Sequence, residues 1–247
     1  PVSDIAEAVT HPERLVGLHF CCPVEPMRLV EIIASSETAD LTTNVAIDFV
    51  RRMRKTPVVV GDHPGFVVNR MLAPFFNHTL ELLQHDVDPR RIDKVMREFG
   101  FAVGPLEMID FIGVDTIMYA GETFLRTLPD LIILNPILPA LVKRNRNGRK
   151  VNLGFYRYAS FDAPPEFDPE LTTILDKYQR DPITISDEEI QERLLGPMAV
   201  ESQKILDDEE VHDARDIDLC SILGTTFPKT KGGVLFWANE LRPVRAD

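Results

Sequence analysis

Two residues twelve positions apart carry the clearest chemistry in this chain: His19, in the apolar run 14–21, and Glu31, inside a second apolar run at 28–34. An imidazole with an ordinary pKa of about 6.5 can take and return a proton near neutral pH. A carboxylate on its other nitrogen fixes the tautomer and stabilises the imidazolium. Pro23 and Pro26 bend the segment between the runs, so two neighbouring strands could bring His19 and Glu31 together. They are expected to act as a base and its orienting acid partner. Cys21 and Cys22 stand beside them, but adjacent cysteines lack the C-x-x-C spacing of structural metal sites, and no metal is expected here.

The elements that must position this pair follow from patterning. Ser3 can cap a short helix over 4–9, stopped at His11-Pro12. Two strands are expected in the apolar runs, then a helix from Asp40 with Val45, Ile47, Phe49, Val50 and Met53 on or near one face, then a strand at 56–62 ended by Gly61. Strand, strand, helix, strand is an α/β arrangement whose opening strands are absent, occupying 1–62.

Beyond His63-Pro64-Gly65 the pattern turns helical. Helices are expected over 66–84, from Asp88-Pro89 to Phe99, through 106–128, and over 135–142, with Gly113 and Gly121 allowing close helix approach. The basic stretch 143–150 reads as a solvated charged loop. Pro164, Pro165, Pro169 and Pro182 mark 159–185 as a linker, despite a short amphipathic piece over 169–178. Ser186 and Glu189 then form a capping box for a helix running toward Leu206.

An internal repeat organises this helical part. NRMLAP at 69–74 aligns with ERLLGP at 192–197, so that Arg70, Leu72 and Pro74 match Arg193, Leu195 and Pro197. Ile92-Asp93 matches Ile217-Asp218, Gly100 matches Gly224, and Gly104 matches Gly233. Four matches in order point to a duplicated helical unit. The expected division is 1–62, a first helical domain at 63–158, the linker 159–185, and a second, degenerate copy at 186–247. In that copy Glu192 replaces Asn69, and Trp237 with Gly232 and Gly233 is expected to pack its core.

Composition narrows the class. A chain of 247 residues with 44% hydrophobic and 27% charged residues is long and apolar enough for one large or two modest cores. A formal charge of −12 argues against a nucleic-acid partner. No apolar run is long enough for a membrane span, and no secretory signal opens the chain. Three cysteines, an odd count, suit a reducing compartment, either a bacterial cytoplasm or an organelle matrix.

The runs GLHFCCPV, MRLVEII, DHPGFVVNR, VGPLEMIDFIGVD and NGRKVNLGFYRY resemble the C-terminal half of 3-hydroxyacyl-CoA dehydrogenases. The later run LGTTFPKTKGGVLFWAN resembles the second helical copy of multifunctional fatty-acid β-oxidation enzymes of the α-subunit type. The resemblance covers roughly residues 1–240. It implies a mostly α protein with a partial α/β N-terminal piece: the end of a Rossmann-type domain followed by two repeated helical C-terminal domains. It also implies NAD as cofactor, 3-hydroxyacyl-CoA as substrate, and a homo-oligomer or β-oxidation complex as the assembled form.

Within that resemblance His19 is the base that removes the 3-hydroxyl proton, Glu31 orients it, and Asn69 hydrogen-bonds the substrate. Cys22 stands where the family pattern H-F-F-N-P-V places an asparagine against the nicotinamide, and a thiol is a weaker donor than an amide. No G-x-G-x-x-G occurs in the chain. The dinucleotide fingerprint and the missing first Rossmann segment are therefore expected upstream of Pro1, with this piece inactive alone. The alternative reading is a non-catalytic helical dimerisation or assembly module with residual acyl-CoA contacts.

Overall fold

A computed structural model describes residues 1–241. In chain order its principal elements are α1 (Val2–Ala6), β1 (Gly17–Phe20), β2 (Leu29–Ile33), α2 (Asp40–Arg52), β3 (Thr56–Val60), α3 (Val68–Gln84), α4 (Pro89–Phe99) and α5 (Pro105–Ile112). There follow α6 (Val114–Thr127), α7 (Ile137–Val142), α8 (Pro169–Leu175), α9 (Asp187–Asp207), α10 (Ala214–Gly224) and α11 (Val234–Phe236). The chain is mostly helical, with one small sheet. No helix of the described residues is long and apolar enough to cross a membrane.

The chain divides into two compact units, Pro1–Leu72 together with the stretch from Met198 onward, and Ala73–Pro197. Both divisions fall inside helices, α3 and α9. In the first unit β2 is central, antiparallel to β1 and parallel to β3. Strand residues alternate between faces. Val30 and Ile32 therefore pack with Ala46 and Val50 of α2, joined by Leu18, Phe20 and Val59. His19, Leu29, Glu31 and Ile33 take the opposite face.

Several local expectations change. The first helix is Val2–Ala6, without a side-chain cap from its preceding residue. The amides of Val2 and Ser3 instead donate to the Asp62 carboxylate at 2.8 and 2.7 Å. Burial opposes ionisation of Asp62, but these amides outweigh it and hold the group below its ordinary range. The helix expected over 106–128 breaks at Gly113, whose φ of 112° no ordinary L-residue adopts readily. Gly121 faces open space, so it mediates no close approach.

In the second unit the basic stretch 143–150 is not a solvated loop. Arg146 is 1% exposed and donates to Asp168 and to the Gly154 carbonyl. Lys150 pairs with Asp115, and Arg149 lies over the Tyr158 ring. The stretch 159–185 contains α8, whose Leu171 and Ile174 are buried.

The residues aligned by the internal repeat adopt matching local geometry. Asp93 accepts the amides of Leu106 and Glu107 at 2.8 and 3.2 Å, while Asp218 accepts those of Leu235 and Phe236 at 2.7 and 3.2 Å. Gly104 and Gly233 each lie so close to these aspartates that an added Cβ would stand 2.3 Å from the Asp Cβ. Asp88 and Asp213 cap α4 and α10 through the amides of Arg90 and Arg215.

Candidate active site

β-sheet register creates the pair that spacing alone left open. His19 on β1 lies directly opposite Glu31 on β2, so their side chains leave the sheet on one face, within hydrogen-bonding reach. His19 Nδ1 meets Glu31 Oε2 at 2.6 Å. A carboxylate only accepts, so Nδ1 carries the proton of this bond, and in the neutral ring Nε2 keeps its lone pair. The His19 side chain is 28% exposed, whereas Glu31 is fully buried.

A buried carboxylate is costly unless its oxygens are satisfied. The second oxygen of Glu31, Oε1, accepts the amides of Val67 and Val68 at 2.8 and 3.1 Å. These amides open α3, where unpaired N–H groups and the helix dipole favour an anion. The turn that aims them consists of Gly65 at φ 81° and Phe66 at φ 50°. Phe66 also places its ring 5.5 Å from the imidazole, tilted by 49°.

Cys21, His19 and Glu31 offer possible ligand atoms all within 4.8 Å of one another. Burial, and then the Glu31 charge, push the Cys21 thiol up to about 12, while metals bind the thiolate. Nδ1 and both carboxylate oxygens are already engaged in hydrogen bonds. The arrangement suits proton handling better than metal binding.

Cys22 is exposed in the loop after β1. Asn69 is exposed in the first turn of α3, next to Val68. Glu31 takes the amides of Val67 and Val68 at the start of that helix. Sequence reasoning missed Phe66, the two amides and Asp62. One signal was present: the start G-F-V-V-N offers no Ser, Thr or Asp before the helix, so an acceptor had to come from elsewhere.

Arg70, one residue beyond Asn69, is 5% exposed. It donates through Nε to Glu201 at 2.5 Å and through one terminal nitrogen to Asp208 at 2.7 Å. His63 pairs with Glu210 at 3.0 Å, and the Gly61 amide donates to the Glu210 carbonyl at 2.8 Å. The helix that holds Glu31 is thus fastened to the stretch after Met198.

Two family models match the chain: the NAD-binding domain of 3-hydroxyacyl-CoA dehydrogenase over residues 1–63, and the C-terminal domain of 3-hydroxyacyl-CoA dehydrogenase over residues 65–158. Among solved structures, the dehydrogenase part of multifunctional enzyme 1 from C. elegans is 30% identical with a TM-score of 0.66, over 91% of this chain and 51% of that one. An (S)-3-hydroxybutyryl-CoA dehydrogenase from Ralstonia eutropha is 31% identical with a TM-score of 0.60, over 64% of this chain and 57% of that one. The 3-hydroxybutyryl-CoA dehydrogenase of Escherichia coli K12, at 22% identity and a TM-score of 0.78, shares the fold over 97% of this chain and 66% of its own. The chain therefore spans between about half and two thirds of these relatives' lengths.

Proposed function

Because the chain belongs to the 3-hydroxyacyl-CoA dehydrogenase family, we propose that it supplies the proton-handling part of an NAD-dependent (3S)-3-hydroxyacyl-CoA dehydrogenase that forms 3-ketoacyl-CoA in fatty-acid β-oxidation. The observation that carries this reading is the 2.6 Å bond from His19 Nδ1 to a fully buried Glu31. That bond leaves Nε2 as the free basic atom on a partly exposed ring. His19 Nε2 takes the proton of the 3-hydroxyl as the C3–O bond becomes a carbonyl. Glu31 holds the ring in the competent tautomer and stabilises the imidazolium. Asn69, exposed beside the same helix start, hydrogen-bonds the substrate at its reacting oxygen or thioester.

NAD, when bound, accepts the hydride from C3. The residues present fit its reactive end only. His19 is open on one side and Cys22 is exposed at the position read as meeting the nicotinamide. A pyrophosphate cradle does not fit: no glycine fingerprint occurs, and the opening amides of α1 are already held by the Asp62 carboxylate. The 247-residue polypeptide is expected to bind NAD weakly or not at all in isothermal titration, and micromolar binding would refute this.

The segment from Ser186 is read as a degenerate second copy of the helical domain, supported by the matching aspartate, glycine and arginine geometry. The activity itself is tested by His19→Gln in the full-length protein. Turnover should fall by about 10²–10⁴-fold with an unchanged circular dichroism spectrum. Near-normal oxidation of 3-hydroxyacyl-CoA would remove His19 from the mechanism.

A further inference from the structure

The far end of the chain packs against both elements that hold Glu31. Gly224 is the last residue of α10. A Cβ added there would stand 2.6 Å from Val68 Cγ2 and 2.8 Å from Leu29 Cδ2. Val68 supplies one of the amides that bind Glu31, and Leu29 lies two residues before Glu31 on the same face of β2. Any side chain at position 224 would therefore press on the side chains of Val68 and Leu29, which belong to the helix start and the strand that together hold the carboxylate.

The glycine is not needed for backbone freedom, since Gly224 is not among the glycines with positive φ. Gly100, its partner in the internal repeat, has φ 125° at the end of α4. The two glycines thus serve different ends: Gly100 allows a backbone turn, and Gly224 allows close approach. One turn before Gly224, Cys220 is fully buried, and burial pushes its thiol up. α10 also packs against β2, the strand of Glu31.

We infer that α10 is the floor of the His19–Glu31 site and that Gly224 is a positioning residue, setting how closely the Val68 amide approaches Glu31. The second helical segment then contributes to catalysis at a site whose reacting groups all lie elsewhere. The inference rests on the role proposed above for His19.

The test uses Gly224→Ala in the full-length enzyme, reading kcat, KM and the pH profile of kcat/KM. Pushing Val68 away leaves the Glu31 charge less compensated, so it polarises the imidazole more strongly. The acidic limb of the profile should move to higher pH, and kcat should fall by about tenfold. KM should change by less than about twofold, as expected where ground-state binding is untouched. Adding Val68→Ala to the variant removes the methyl groups in the way and should return the limb toward its wild-type position. Gly121→Ala, at an open site, should leave the profile unchanged.

A wild-type profile in Gly224→Ala, or a loss of kcat with the limb in place, overturns the inference. If Gly224→Ala does not fold, Val68→Ile, which adds a methylene to the same contact, is judged by the same criteria. Activity surviving in His19→Gln would sink the dyad itself, whereas an unmoved limb in Gly224→Ala beside an inactive His19→Gln sinks only the positioning role.

Discussion

Glu31 is surrounded by donors, and this decides what can replace it. The His19 Nδ1–H approaches one oxygen, while the amides of Val67 and Val68 approach the other. A carboxamide offers one acceptor oxygen and one NH2 group. In Glu31→Gln the oxygen must serve the two fixed backbone amides, which turns the NH2 toward His19. The imidazole then moves its proton to Nε2, the atom proposed above as the base. Glu31→Gln should cost at least about tenfold in turnover, with an Nε2-protonated His19 in nitrogen-15 NMR. A variant keeping the Nδ1–H tautomer would contradict this. His19 and Glu31 were legible as a pair because strand patterning and proline placement bring such residues close. The amides of Val67 and Val68 were not, because reaching Glu31 from 36 and 37 residues away depends on a left-handed Phe66.

Helices and strands were readable wherever periodicity was undisturbed, as in α2, α3, α4 and the three strands. They were misread where one residue changes backbone direction, as Gly113 does between α5 and α6. The stretch 159–185 is held by partners distant in sequence, among them Arg146 for Asp168, and composition cannot report those. At this scale Asp93 makes the pH behaviour testable. Burial outweighs the amides of Leu106 and Glu107 and the Tyr156 hydroxyl, and raises Asp93 from 3.8 to about 7. Its contribution to stability is full below its unfolded value and is lost as pH rises through about 7. Urea denaturation between these limits should show stability declining with pH, with a flatter slope in Asp93→Asn. An unchanged slope would remove Asp93 as its source.

Across the whole chain, the boundaries expected near 63 and 158 coincide with those of the two family matches, whereas the compact units divide elsewhere. Aligned residues report matching local geometry; a unit is defined by which surfaces close on each other. Arg70 shows the difference, since its partners Glu201 and Asp208 lie 131 and 138 residues away. Glu201→Ala should destabilise the first unit by about 3–5 kcal/mol, because it leaves a buried guanidinium short of a counter-charge. Thermal unfolding unchanged by this substitution would mean that Asp208 and solvent suffice.

The discontinuous make-up of the first unit also has a consequence for biosynthesis. A ribosome releases Ala73–Pro197 as one uninterrupted stretch, whereas the unit of His19 and Glu31 draws on Pro1–Leu72 and on the described stretch from Met198. Domains tend to fold as they emerge, and long-range contacts wait for their partners. The strands that carry His19 and Glu31, although they precede Ala73 in the chain, should therefore become protease-resistant only after the stretch from Met198 has emerged. Nascent chains stalled with Pro197 just outside the exit tunnel should protect the middle of the polypeptide while His19 and Glu31 remain open to cleavage.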